Sequence, residues 1–153
     1  MNANDKTTVK GSLGITLTDA HGKVKTNVTH ENLVVDTGLA YLISRAVGTS
    51  KSVMSHMGLG SGTTDPAAGD TALEAQLGGR VSLDSTTISG SNDEQVVYVA
   101  TFGPGDATGA VTEAGIFNAS SGGDMLCRTE FPVVNKQSDD TMVITWTITL
   151  SAQ

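Results

Sequence analysis

Gly58-Leu59-Gly60-Ser61-Gly62 is the first stretch whose residue types could do chemistry, because closely spaced glycines let a backbone wrap a phosphate. A dinucleotide loop needs a helix opening directly at the glycines, so that its N-terminus receives the pyrophosphate. Here Thr63-Thr64-Asp65-Pro66 follows, which opens a loop. A P-loop needs Gly-Lys-Ser/Thr, and no lysine is present in the stretch. The glycines read as a structural turn or a close backbone approach. His21, His30 and His56 lack metal-ligand spacing and read as hydrogen-bonded structural residues. Asp65, Asp70, Asp84, Asp93, Glu94, Asp106, Asp124, Asp139 and Asp140 mostly fall in expected turns, where an Asp side chain bonds the backbone two residues on. They form no Asp-x-Asp-x-Asp-Gly calcium loop. Cys127 shares a strand face with Met125, Thr129 and Phe131 and reads as a small core residue, not a nucleophile. No Gly-x-Ser-x-Gly elbow occurs, and nothing singles out a Ser-His-Asp set. The sequence assigns no catalytic, cofactor-binding or metal residue.

The elements that hold these residues follow from composition and period. The chain has 153 residues, the size of one domain with one core. Lys plus Arg is 9 against 16 for Asp plus Glu, a formal charge of −7, which argues against nucleic acid as a partner because phosphate demands a basic face. Charged residues are only 16% of the chain and glycines number 18, a balance that favours strands and turns over helices. A single cysteine excludes an intrachain disulfide. The N-terminus lacks the apolar stretch of a signal peptide, and no apolar run suits a bilayer, so the expectation is a soluble product of a cytoplasm with no membrane partner.

Residues 8–18 alternate strictly, with Val9, Gly11, Leu13, Ile15 and Leu17 on one face and Lys10, Ser12, Thr16 and Thr18 on the other. Asp19-Ala20-His21-Gly22 then predicts a hairpin turn. Asp36 reads as an N-cap for an amphipathic helix whose stripe is Leu39, Leu42, Ile43, Ala46 and Val47, closed by Gly48. Strands are predicted over 53–59, 80–88, 95–102, 111–118 and 125–133, with a weak helical turn over 71–77 capped by Asp70. Residues 95–102 are nearly continuously apolar, as in a strand covered on both faces. The last strand sets Met142, Ile144, Trp146, Ile148 and Leu150 on one face. The fold class is mainly β: a single-domain antiparallel β-sandwich of Greek-key or jelly-roll kind over residues 8–153, with one packed α-helix. Trp146, Ile148, Phe131, Val99 and Leu42 are its expected core.

Three segments also resemble known proteins as words. They are residues 58–73, which run from the glycine stretch to Gly69-Asp70-Thr71-Ala72-Leu73, then Thr112-Glu113-Ala114-Gly115-Ile116-Phe117-Asn118, then Met125-Leu126-Cys127-Arg128-Thr129. With the closing Thr145-Trp146-Thr147-Ile148, the series resembles small structural proteins of tailed bacteriophages, labelled head decoration, cement or tail-fibre-like virion proteins. The resemblance covers about residues 33–150 and carries no catalytic residue.

It implies a non-enzymatic capsid decoration or cement protein. Such a protein is made in the host cytoplasm, resides in the virion, and stabilises the head through homo-oligomer (dimer or trimer) and major-capsid contacts. The alternative is a tail-fibre or collar component in host-surface attachment, whose loop near Gly60 would touch sugar. Low aromatic content, 4%, counts against that alternative, since sugars stack on rings. Residues 1–7 read either as an arm that orders on contact or as a frayed terminus. The strand over 8–18 reads as an edge open to augmentation. Lys10, Ser12 and Thr16 on that strand and Thr63, Thr64 and Asp65 in the glycine loop are the candidate interface residues.

Overall fold

A computed structural model describes residues 6–48 and 51–152. Among the described residues, nine antiparallel strands, β1 (Thr7–Thr18), β2 (Val24–Val34), β3 (His56–Gly60), β4 (Val81–Ser82), β5 (Ser85–Ser89), β6 (Gln95–Phe102), β7 (Gly109–Phe117), β8 (Met125–Lys136) and β9 (Thr141–Ala152), run in the order β4-β3-β7-β8-β2-β1-β9-β6-β5 in one curled sheet, a half-barrel, with one helix, α1 (Asp36–Ala46). β1 (Thr7–Thr18) and β2 (Val24–Val34) form the predicted hairpin. In its turn the Asp19 carboxylate accepts the amides of His21 and Lys23, both at 2.9 Å, and Gly22 takes φ +81°.

β1 is not an edge. It pairs with β2 on one side and with β9 (Thr141–Ala152) on the other, from Thr7↔Ala152 to Thr18↔Thr141. The first and last strands therefore lie side by side within the sheet, and β1 is paired on both sides from Gly11 to Thr18, while Thr7 to Lys10 pair with β9 alone. Thr7 belongs to this ladder, not to an arm, and the rest of the expected arm, apart from Lys6, lies outside the described residues.

The free edges are β4 (Val81–Ser82) and β5 (Ser85–Ser89), which come from one predicted strand. Leu83 and Asp84 split it. The Leu83 amide donates to Ser55 at 2.9 Å and the Asp84 amide to Val99 at 2.7 Å, so two residues carry the chain from one edge of the sheet to the other. The Asp84 carboxylate fixes the corner by accepting the Thr101 hydroxyl at 2.7 Å. This corner keeps the sheet curled.

Period-2 faces fill the inside. Leu13, Ile15 and Leu17 of β1, Met142, Ile144, Trp146 and Ile148 of β9, and Tyr98, Ala100 and Phe102 of β6 (Gln95–Phe102) are buried together. Phe131 joins them, whereas Val99 and Leu42 are only half-buried. Two-sided burial falls on β7 (Gly109–Phe117) and not on β6: every residue from Val111 to Phe117 is buried. Val111, Ala114 and Ile116 face the main core, while Phe117 packs with Val35, Met125 and Leu73 in a second cluster. The segment after β3 (His56–Gly60) supplies that second cover.

The helix is present but turned over. Its N-cap is Val35, and Asp36 lies in the first turn, its amide donating to Ala68 at 2.8 Å. Gly48 ends it with φ +65°. The buried residues are Gly38, Tyr41 and Ser44, while Leu39, Ile43 and Val47 are 43%, 69% and 70% exposed. Gly38 decides the orientation. A Cβ there would sit 2.0 Å from the Leu126 carbonyl oxygen on β8 (Met125–Lys136), so only glycine lets the helix lie on the strand. The Thr37 hydroxyl, donating to Met125 at 2.7 Å, holds the same contact.

Gly38→Ala is therefore expected to force helix and strand apart and cost about 1–3 kcal/mol. The measurement is the urea midpoint at unchanged slope; a variant as stable as the parent contradicts the packing described.

Candidate functional site

β7 and β8 form a hairpin that sets Gly115 opposite Arg128 and Glu113 opposite Glu130. Glu113 and Arg128 are thus diagonal neighbours on one face, within reach of each other. Both are buried, Glu113 completely. Nε and Nη2 of Arg128 each lie 2.9 Å from Glu113 Oε2. A carboxylate out of water needs further donors, and the glycine loop provides them. Oε1 accepts the amides of Gly62 at 3.1 Å and Ala75 at 2.7 Å, and Oε2 accepts that of Glu74 at 3.0 Å.

The guanidinium is used just as fully. Nη1 donates to Asp70 at 2.8 Å and Nη2 to the Thr64 carbonyl at 3.0 Å. Glu74 accepts the Thr64 amide at 2.9 Å and the Thr64 hydroxyl at 2.8 Å. The Thr112 hydroxyl closes the arrangement by donating to Gly62 at 2.6 Å. Gly60 and Gly62 have a steric reason to be glycine: a Cβ on either would stand 2.4 Å or 2.6 Å from Glu113 Oε1. The sequence reading of a close backbone approach matches this geometry. The expected helical turn over 71–77 does not form, because the Glu74 and Ala75 amides point at Glu113 instead of along a helix.

Charges follow from these contacts. Burial pulls the Arg128 guanidinium down, and the Glu113 and Asp70 carboxylates outweigh it, holding Arg128 above its ordinary value. The Ala67 amide, then Arg128 against the cost of burial, holds Asp70 below the usual carboxylate range. Thr64, through its amide and its hydroxyl, does the same for Glu74. Thr64, Asp70, Ala72, Glu74 and Arg128 line a hollow of about 340 Å³. Its one hydroxyl already donates to a carboxylate with lowered proton affinity, which makes a poor general base. The cluster is built to fasten a loop.

Elsewhere, the Ser55 hydroxyl lies 2.8 Å from His56 Nδ1, and among the described residues no carboxylate hydrogen-bonds that ring. His30 stacks on Phe131 with centroids 5.5 Å apart. Burial pushes the Cys127 thiol well up, away from the reactive thiolate. Among the described residues, no group of three His, Cys, Asp or Glu side chains is placed to hold a metal ion, and no helix is long and apolar enough to cross a membrane.

The six residues expected at an interface fall in two places. Lys10, Ser12 and Thr16 point outward from the middle of the sheet, where Lys10 and Ser12 line a shallow hollow with Glu31, Thr147 and Thr149. Thr63, Thr64 and Asp65 are exposed on the clasped loop. Glu113 and Arg128 were not singled out, although a charge in the middle of each of two apolar strands of one hairpin signals a buried pair. The chain matches no family model, no curated protein and no solved structure.

Two outcomes follow. Glu113→Gln leaves the Arg128 charge buried without its main partner and is expected to cost about 3–5 kcal/mol in urea unfolding; a loss below about 1 kcal/mol contradicts the clasp. Asp70 has a folded pKa below its unfolded value of about 3.9, so its contribution is present above that pH and lost as pH falls through the folded value. The stability gap between the parent and Asp70→Asn is thus expected to narrow from about pH 6 to about pH 3, and a constant gap contradicts the pairing.

Proposed function

We propose that this chain is a non-enzymatic virion structural protein of a tailed bacteriophage, a capsid decoration or cement protein that acts as a homo-oligomer on the major capsid protein. The observation that carries this reading is the use to which the resembling segments are put. Gly60, Gly62, Thr64 and Asp70 from the first, Glu113 from the second and Arg128 from the third meet at one buried clasp. The words that resemble phage structural proteins read as a folding signature, since three of their charged groups, Asp70, Glu113 and Arg128, are spent on each other and on backbone groups.

For the architecture, we read the two limbs of the curled sheet as layers of a Greek-key-like sandwich, since their inner faces share one apolar cluster. Adhesion suits the surface. Large aliphatic side chains stand exposed on α1 and at Val24, Val53, Ile88 and Val133. Each copy needs only a modest interface when symmetry repeats it.

The tail-fibre alternative rests on sugar contacts, which use exposed rings. All six aromatic side chains, Tyr41, Tyr98, Phe102, Phe117, Phe131 and Trp146, are at most 6% exposed. That weighs toward the head. Densitometry of purified particles from the phage that encodes this chain separates the readings. Copy number near parity with the major capsid protein is expected; a few copies per particle supports the tail, and absence from mature particles overturns the proposal.

A further inference from the structure

β1 begins in a fork. Its pairing with β2 starts at Gly11↔Asn32, where β2 turns away to join β8 through Leu33↔Arg128 and Val34↔Cys127. Thr7 to Lys10 lie beside β9 alone. Strand alternation decides which main-chain groups this leaves open. The Leu150 amide donates to the Glu94 carbonyl at 2.9 Å, so the backbone groups of Leu150 point away from β1. Val9 lies opposite Leu150, and in such a pair its own N–H and C=O point away from β9, into the fork. Among the described residues nothing pairs with them. A hollow of about 190 Å³, lined by Val9, Lys10, Gly11, Glu31 and Asn32, opens at the same place. Asn32 adds a further unmet group there. Its Oδ1 accepts the Trp146 indole N–H at 2.8 Å, while Nδ2 is buried with no acceptor among the described residues.

An N–H and a C=O side by side on an open strand are matched by an extended backbone, and a hollow beside them takes one of its alternate side chains. Charge narrows the occupant. Alternation puts Lys6, Thr8 and Lys10 on the outer face, both lysines exposed and neither in an ion pair among the described residues. An acidic side chain opposite Thr8 on an added strand is diagonal to both lysines and within their reach. Glu31 lies four strand positions from that place, about 13 Å, beyond the Debye length at physiological salt. The longest irregular stretch described, residues 61–80, is fastened to Glu113 and Arg128 and is not free to supply the strand.

We propose that the fork takes an extended, acidic segment of the major capsid protein, which adds a short strand along Thr7 to Lys10. The proposal rests on the virion reading above and names the contact that serves it. The free edge is only four residues long, so each contact is weak and gains strength where the shell presents many copies together.

Amide exchange and shell binding test it. In the free chain at low concentration the Val9 amide is expected to exchange at least tenfold faster than that of Lys10, which belongs to the β9 ladder. On shells of the phage that encodes this chain, purified without it, Val9 is expected to slow at least tenfold. Val9→Pro removes the N–H that faces the fork and leaves the β9 ladder whole, and is expected to weaken shell binding at least tenfold. Lys10→Glu, an exposed change that keeps the backbone intact, is expected to weaken it at least fivefold. A Val9 amide already slow in the dilute chain, or slowed by raising its concentration alone, means that this chain fills its own fork and overturns the proposal. The two readings fail separately. A chain that neither binds shells nor occurs in mature particles overturns the virion role. A chain whose Val9→Pro and Lys10→Glu variants bind shells as the parent does overturns this edge alone.

Discussion

A carboxylate moved out of water must be given back, donor by donor, the hydrogen bonds it leaves behind, and Glu113 is such a carboxylate. Its replacement shell consists of three backbone amides from the glycine loop and the Arg128 guanidinium. Satisfying one buried group dictates much else. The loop must bend so that Gly62, Glu74 and Ala75 point inward, and Gly60 and Gly62 can carry no side chain. Arg128 must in turn be matched by Asp70 and Thr64. A buried ion pair adds little net stability compared with apolar packing, but breaking one is expensive. The clasp accordingly gives definition to a long segment that has almost no regular secondary structure of its own.

That definition extends to the surface. The clasped segment covers the outer face of β7, makes it the strand buried on both sides, and brings Leu73 onto Phe117 and Met125. Beside it, Val35 enters the same cluster and starts α1, whose roll is set by Gly38 on β8. A charge pair and a close glycine contact on one hairpin thus place both the exposed loop and the exposed apolar helix face. In the proposed role these are the parts that meet neighbours, and rigidity there lowers the ordering cost of each contact.

Period carried much of the fold in the sequence. The alternation through Leu13, Ile15 and Leu17 and through Met142 to Ile148 located β1 and β9 and their buried faces. What alternation cannot state is who sits beside whom. The pairing of the first strand with the last is a tertiary fact, so β1 read as an edge. The helix shows a different failure. Its apolar stripe predicted a buried face, but the tight fit of Gly38 against Leu126 outweighs what a few aliphatic side chains gain by burial. The site was legible only in part. The glycines signalled a close approach, whereas the group approached, Glu113, lies some fifty residues away and is named by no local pattern.

Amide hydrogen exchange by NMR tests the clasp most directly, because Glu74 and Ala75 are exposed residues in irregular structure whose amides nonetheless have a buried acceptor. The account expects the amides of Gly62, Glu74 and Ala75 to exchange as slowly as those of the central β1–β9 ladder, by opening of the whole domain. Exchange of these amides at the rates of an open loop, with the β1–β9 ladder still protected, would contradict it.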